Sequence, residues 1–259
     1  MSDPAASVEP SRPAPDETRS VVKAAGLIGV ATFSSRLLGF VRDMVLARLF
    51  GATPAADAFF VAYRIPNLLR ELFAEGSMSA AFIPVFTEYH TLKTKRDAWE
   101  LASATFTTLL TIVTAVTLLG ILAAPGIVWL LAPGFRGSPD KLALTTLLTQ
   151  MMFPYLIFIS LAALAMGILN SLRAFAAPAF SPVFFNIFTI ACMMFLSPWL
   201  PEPIIGVAIG IVVGGVAQFA MQLPGLKGRG MLFGLRFQPG HPGVKRIGWL
   251  MVPSLLGLS

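Results

Sequence analysis

Long apolar stretches recur along almost the whole sequence, and no other feature limits the possible folds as strongly. About 20 helical residues cover the hydrocarbon layer of a bilayer. Stretches of at least this length lie at residues 22–50, 55–88, 100–132, 141–169, 178–199 and 203–224, and a seventh begins at Ile247. Only 12% of the 259 residues are charged, whereas soluble domains have about 25%. The sequence therefore predicts an all-α, polytopic transmembrane bundle with six complete spans and part of a seventh.

The two ends of the sequence differ from this apolar middle. Residues 1–20 are rich in proline, serine and acidic residues, which predicts a disordered cytoplasmic tail and not a signal peptide. We expect a lobe of six helices at 21–225, a basic cytoplasmic loop at 226–246 and the start of a further helix at 247–259. Because that last stretch is too short to cross a bilayer, we expect the sequence to be part of a longer protein.

Basic residues between the apolar stretches predict the orientation of the bundle. Lys93, Lys95 and Arg96 follow the second stretch, and the N-terminal flank and the other loops on the same side are also basic. The loops on the opposite side, such as residues 197–203, carry few basic residues or none. Cytoplasmic loops hold most of the lysine and arginine in membrane proteins. The pattern predicts a multi-pass membrane protein with a cytoplasmic N-terminus.

Sequence patterns of catalysis and of metal binding are absent. Cys192 is the only cysteine and lies in an apolar stretch, and the two histidines, His90 and His241, lie far apart. No phosphate-binding loop, dinucleotide-binding glycine motif or nucleophile elbow occurs. We therefore expect no enzyme, no catalytic residue, no metal and no cofactor. The basic residues follow the membrane pattern, so we expect no nucleic-acid partner.

The stretch FSSRLLGFVRDMVLARLFG, residues 33–51, carries charges that are costly at bilayer depth. On a helical projection Arg36, Arg42 and Asp43 fall in one sector together with small residues. Arg48 points elsewhere, near the helix end, where a long side chain can reach the headgroups. An arginine at the centre of a span costs at least about 2.5 kcal/mol. The spacing predicts a helix with one polar face and one lipid face.

The second apolar stretch repeats this arrangement of charges, so that four arginines balance four carboxylates across the two helices. One interpretation is an internal network of salt bridges. The other is a hydrated cavity that presents arginines to an anion, which we favour because a guanidinium grips two phosphate oxygens at once and a buried ion pair alone stabilises little. The candidate substrate-binding residues are Arg36, Arg42, Arg64 and Arg70, and the candidate ion-pair or gating residues are Asp43, Asp57, Glu71 and Glu75.

These residues also carry a resemblance to a known family. The segment FSSRLLGFVRDMVLARLFGATPAADAFFVAYRIPNLLRELFAEGSMSAAFIPVFTEY closely resembles the opening of the MurJ (MviN) family, and the likeness continues through LAPGF, APAFSPVFFNI and QLPGLKGRGM to cover roughly residues 24–259. The resemblance implies a MATE-like exporter with about fourteen helices in two lobes, of which this chain is the N-terminal lobe. The C-terminal lobe would be its missing partner.

The function that this resemblance implies is lipid II flipping for peptidoglycan assembly. The family moves an undecaprenyl-pyrophosphate-linked disaccharide-pentapeptide from the inner to the outer leaflet of the bacterial inner membrane, by alternating access through a cationic cavity. Position 71 is often basic in the family and is Glu71 here. The matches to the family's cavity arginines are Arg36, Arg42 and Arg70, and the matches to its acidic positions are Asp43, Asp57 and Glu75.

Two alternatives stay open at this point. The first is another polysaccharide or multidrug exporter of the same superfamily, although an exporter of cations would favour acidic residues in its cavity. The second is a truncated, non-transporting membrane scaffold that pairs with cell-wall synthesis proteins. Lipid II and membrane lipid are the partners that the first interpretation implies.

Overall fold

The computed structural model describes residues 15–73, 77–231 and 233–255. Almost all of these residues are helical, and the described ranges contain no strand. The all-α prediction is thus confirmed. The helices are α1 (Pro15–Phe50), α2 (Pro54–Phe73), α3 (Ser77–Leu92), α4 (Lys95–Leu131), α5 (Pro139–Met152), α6 (Tyr155–Ser171), α7 (Ala176–Ala191), α8 (Ile204–Ala220), α9 (Leu223–Lys227) and α10 (Pro242–Leu255), and short 3₁₀ or π-helical turns occupy Pro133–Phe135, Cys192–Leu196 and Ser197–Trp199.

Several predicted boundaries differ from the observed ones. The stretch at 55–88 holds two helices, α2 and α3, and the stretch at 141–169 is divided where Pro154 separates α5 from α6. Pro154 lacks an amide hydrogen, so one helical hydrogen bond is missing where α5 gives way to α6. The helix expected from Ile247 begins at Pro242. Residues 1–14 of the predicted tail lie outside the described residues, and α1 begins at Pro15.

Among the described residues, four helical segments are long and apolar enough to cross a membrane. They are Lys95–Leu131, Pro139–Ser171, Ala176–Trp199 and Ile204–Lys227. The segment Lys95–Leu131 has 37 residues, or roughly 55 Å at 1.5 Å per residue, so it exceeds the ~30 Å hydrocarbon layer. The total of six spans stays a prediction.

Helix α6 lies at the centre of the bundle and packs against α2, α3, α4, α7 and α8. Its side chains Leu164 and Ile168 are fully buried. Phe82 and Phe86 of α3 are fully buried as well, and their rings stack at 5.2 Å between centroids. The remaining helices surround this core, and α1 is held mainly by its contact with α7.

Helices α7 and α8 approach each other unusually closely. Gly206, Gly210 and Gly214 recur every four residues, which places them on one face of α8. A Cβ atom at Gly214 would lie 2.8 Å from the carbonyl oxygen of Phe185, and one at Gly210 would lie 3.1 Å from that of Thr189. Small residues let helix backbones pack this tightly in membranes. The close contact fixes α7 and α8 as a pair.

The basic segment between α9 and α10 lies against the first turns of α4. The amide of Arg236 donates to Oγ1 of Thr107 at 2.9 Å, and its guanidinium donates to the Glu100 carboxylate at 2.8 Å. The amide of Gly234 donates to Oγ of Ser103 at 3.4 Å. We call residues 233–241 the strap. Side chains of α4 thus satisfy backbone groups of the strap, which has no regular secondary structure.

Candidate functional site

A cavity of about 480 Å³ opens between α1, α2, α6, α7 and α8. Three of the four predicted binding arginines, Arg36, Arg42 and Arg70, line it. The lining residues that the structure describes include no carboxylate. Two consecutive helices, α1 and α2, therefore bring their cationic side chains to one concave surface.

Arg42 is held in place by hydrogen bonds on two sides. Its Nη1 donates to Oδ1 of Asn186 at 3.3 Å. Its Nη2 and Nε donate to Oδ1 of Asp43 at 2.9 and 3.1 Å. The Arg42 side chain is 23% exposed and that of Asp43 is 63% exposed. The predicted ion pair of Asp43 is thus formed with its neighbour in the chain, at the more open side of the guanidinium.

Asn186 connects α7 to α1 and was not predicted as a site residue. Its side chain is only 5% exposed. Its Nδ2 donates to the carbonyl oxygens of Ser35, at 3.1 Å, and Pro182, at 3.3 Å. Since these carbonyls can only accept, Oδ1 must turn toward Arg42. A lone amide within the apolar stretch 178–199 is the sequence signal that could have revealed it.

Arg70 enters the cavity from α2 and forms a local network there. Its Nε donates to Oδ1 of Asn67 at 3.0 Å, and Nδ2 of Asn67 donates to Oε1 of Glu71 at 3.2 Å. Glu71 is therefore linked to Arg70 through an amide. Glu75, the other predicted acidic partner, lies outside the described residues.

The other predicted residues lie away from the cavity lining. Arg64 is exposed on α2, and its part in substrate binding stays a prediction. Asp57 accepts a hydrogen bond from Nζ of Lys141 at 2.7 Å. Nζ of Lys141 also lies 4.1 Å from the ring centroid of Phe135. We expected Asp57 to belong to the arginine network of the first two helices, and its observed partner is instead a lysine of α5.

The cavity has a second polar region, which sequence reasoning missed. Gln218, Gln222 and Ser181 line it, and we call these three residues the polar wall. Nε2 of Gln222 donates to the carbonyl oxygen of Ala162 at 3.2 Å and lies 3.4 Å from Oγ of Ser181. Two glutamines spaced four apart in the otherwise apolar stretch 203–224 are the sequence signal that could have found Gln218 and Gln222.

The arrangement of these residues is suited to non-covalent binding. Arginines supply planar donors for phosphate oxygens, and the amides supply both donors and acceptors. Within the described ranges, no group of three or more His, Cys, Asp or Glu residues is placed to hold a metal ion. Together, these donors and acceptors can contact the oxygen atoms of an anionic molecule.

Comparisons with known proteins match this chain to proteins named lipid II flippase MurJ. The family model described as "Lipid II flippase MurJ" matches residues 46–259. A protein of Vibrio cholerae named "Probable lipid II flippase MurJ" is 43% identical over 249 residues, covering 93% of this chain and 47% of the relative. "Lipid II flippase MurJ" of Burkholderia cenocepacia is 40% identical over 232 residues, covering 88% of this chain and 45% of the relative. The chain spans about half the length of these relatives.

A solved structure shows the same fold. "Lipid II flippase MurJ, inward closed conformation" matches with a TM-score of 0.70 and 28% sequence identity. The match covers 89% of this chain and 48% of that chain. The predicted lobe of a two-lobed transporter is consistent with this coverage.

Proposed function

Since the chain belongs to the MurJ family of lipid II flippases, we propose that it forms the N-terminal lobe of a protein that moves lipid II across the bacterial inner membrane. The substrate would pass from the inner to the outer leaflet for peptidoglycan assembly. The protein would act as a transporter and not as an enzyme, because binding and release require no covalent step.

One observation carries this proposal. Arg36, Arg42 and Arg70 line a single cavity whose described lining includes no carboxylate. A lipid-linked diphosphate presents several anionic oxygens close together. Guanidinium groups match that geometry better than ammonium groups do, because their donors lie in one plane.

The proposed mechanism is alternating access. The diphosphate binds at the three arginines, while the polyprenyl tail stays in the lipid beside the bundle. Rocking of this lobe against a second lobe then opens the cavity to the other side. In this scheme Asp43 restrains Arg42 until substrate arrives, and the ion pair of Asp57 with Lys141 holds α2 against α5 during the movement.

We further propose a cytoplasmic N-terminus and contacts with the C-terminal lobe and with cell-wall synthesis proteins. The distribution of lysine and arginine between the loops supports the orientation. The coverage of about half of each relative supports the second lobe.

The test uses the full-length protein reconstituted in liposomes with fluorescent lipid II. We expect Arg36→Gln, Arg42→Gln or Arg70→Gln to lower lipid II affinity about 10- to 150-fold, because each removes a charged hydrogen-bond donor worth about 1.5–3 kcal/mol. Flipping should fall with affinity while membrane insertion is unchanged. The matched control is Arg136→Gln, since Arg136 is exposed and stacks on Trp129 away from the cavity lining. Unimpaired flipping by all three cavity variants would contradict the proposal.

A further inference from the structure

The polar wall contains an acceptor atom that the fold itself does not use. Gln222 is only 1% exposed, and within the described part of the chain its Oε1 has no hydrogen-bond partner. A buried acceptor without a donor destabilises the folded protein. Gln222 is one of the residues that line the cavity, so a ligand in the cavity can supply the missing donor.

The orientation of the Gln222 amide follows from its neighbours. Nε2 lies 3.2 Å from the carbonyl oxygen of Ala162 and 3.4 Å from that of Gln218. Both carbonyls can only accept, so the nitrogen must face them and Oε1 must face away from them. The free position is therefore an acceptor, which selects O–H or N–H groups.

The polar wall lies a short distance from the cationic end of the cavity. On α7, Asn186 contacts Arg42 and Ser181 contacts Gln222. Ser181 and Asn186 are five positions apart, which corresponds to a rise of about 7.5 Å along the axis of α7. A group attached directly to a diphosphate that is bound at Arg42 would reach the polar wall.

We infer that the polar wall recognises the sugar–peptide headgroup of the substrate, with Oε1 of Gln222 accepting from a hydroxyl or an amide N–H. Gln218, which lines the same wall one helical turn earlier, adds a second amide. This inference rests on the proposed function. It divides the cavity into an arginine region that binds the diphosphate and a polar wall that distinguishes what the diphosphate carries.

Two probes separate these roles. Undecaprenyl diphosphate carries the anion without the headgroup, whereas lipid II carries both. We expect the full-length protein in nanodiscs to bind lipid II about tenfold more tightly than undecaprenyl diphosphate, because one or two net hydrogen bonds are added. Gln222→Met should remove most of this difference by weakening lipid II binding alone, and Gln218→Met should reduce it.

The control is the same substitution at a glutamine outside the cavity. Nε2 of Gln150 donates to the carbonyl oxygen of Ile121 at 3.1 Å, a bond like that of Gln222, yet Gln150 is not among the lining residues. Gln150→Met should leave the preference for lipid II unchanged. Thermal unfolding of each variant identifies loss of folding, and Gln218→Met tests the wall if Gln222→Met does not fold.

The outcomes distinguish this inference from the proposed function. Equal affinity of the unsubstituted protein for both probes, or an unchanged preference in Gln222→Met and Gln218→Met, would overturn the polar wall and leave the arginine region intact. If Arg42→Gln and Arg70→Gln bind both probes normally while Gln222→Met loses only lipid II affinity, the proposed role of the arginines fails and the polar wall stands.

Discussion

The bond between Asn186 and Arg42 offers the sharpest test of how the site is built. Its Nη1–Oδ1 distance of 3.3 Å is at the long end for a hydrogen bond, so we assign it about 1 kcal/mol, below the 1.5–3 kcal/mol usual for charged groups. Asn186→Leu also removes the bond to the carbonyl oxygen of Ser35, which adds about 1 kcal/mol. We expect this variant to lose about 2 kcal/mol of unfolding free energy in total.

A double-mutant cycle isolates the pair. Unfolding free energies of Asn186→Leu, Arg42→Met and the double variant are measured by titration with dodecyl sulfate and followed by circular dichroism. The coupling energy should be about 1 kcal/mol, because the two single variants remove the same contact. A control cycle of Asn186→Leu with Arg136→Met should be additive, since Arg136 is not a lining residue of the cavity and donates to the carbonyl oxygen of Trp129 instead. Coupling within the roughly 0.5 kcal/mol scatter of independent sites would refute the assigned contact.

Three further predictions concern other parts of the chain. Gly214→Ala should destabilise the protein by about 1–3 kcal/mol through overpacking, whereas Gly126→Ala should stabilise it by about 0.5–1 kcal/mol because the added Cβ meets open space. Titration with dodecyl sulfate compares the unfolding free energies of the two variants, and equal changes would contradict the close contact between α7 and α8. Asp57→Asn should lower the unfolding free energy by at most about 1 kcal/mol because the ion pair with Lys141 is partly exposed. Exchanging the charges of Asp57 and Lys141 should recover the lost thermal stability. No recovery would indicate that the two side chains contribute only by their shape. Burial, and secondarily the nearby Lys93, lower the pKa of His241. The folded protein therefore favours the neutral imidazole, and the contribution of His241 to the free energy of unfolding is complete above its unfolded pKa near 6.5 and is lost as the pH falls below that value. Tryptic cleavage in the strap should accelerate on acidification in the parent protein but not in His241→Phe.

Helix faces could be predicted from the sequence because periodicity within one helix fixes which residues share a side. Arg36 and Arg42 were placed on one sector of α1, and both line the cavity. The relation between helices could not be predicted in the same way, because it depends on packing. Asp57 pairs with Lys141 across 84 positions of sequence, and nothing in the local pattern of α2 indicates α5 as the neighbour.

The amides were missed for a related reason. Asn186 and Gln222 lie in apolar stretches that are predicted to span the membrane, and that prediction does not depend on single polar residues within them. Their significance depends on what they face. Asn186 contacts a residue 144 positions away, and Gln222 contacts one 60 positions away. Charged residues stand out at bilayer depth because of their cost, whereas a single amide is tolerated on either face of a helix.

The glycine face of α8 has a consequence for compounds that would block this cavity. Because Gly210 and Gly214 bring the backbones of α7 and α8 nearly into contact, the side chains that these two helices project keep a fixed spacing. An inhibitor anchored to Gln218 of α8 and Asn186 of α7 would therefore bind two side chains whose spacing this backbone contact maintains.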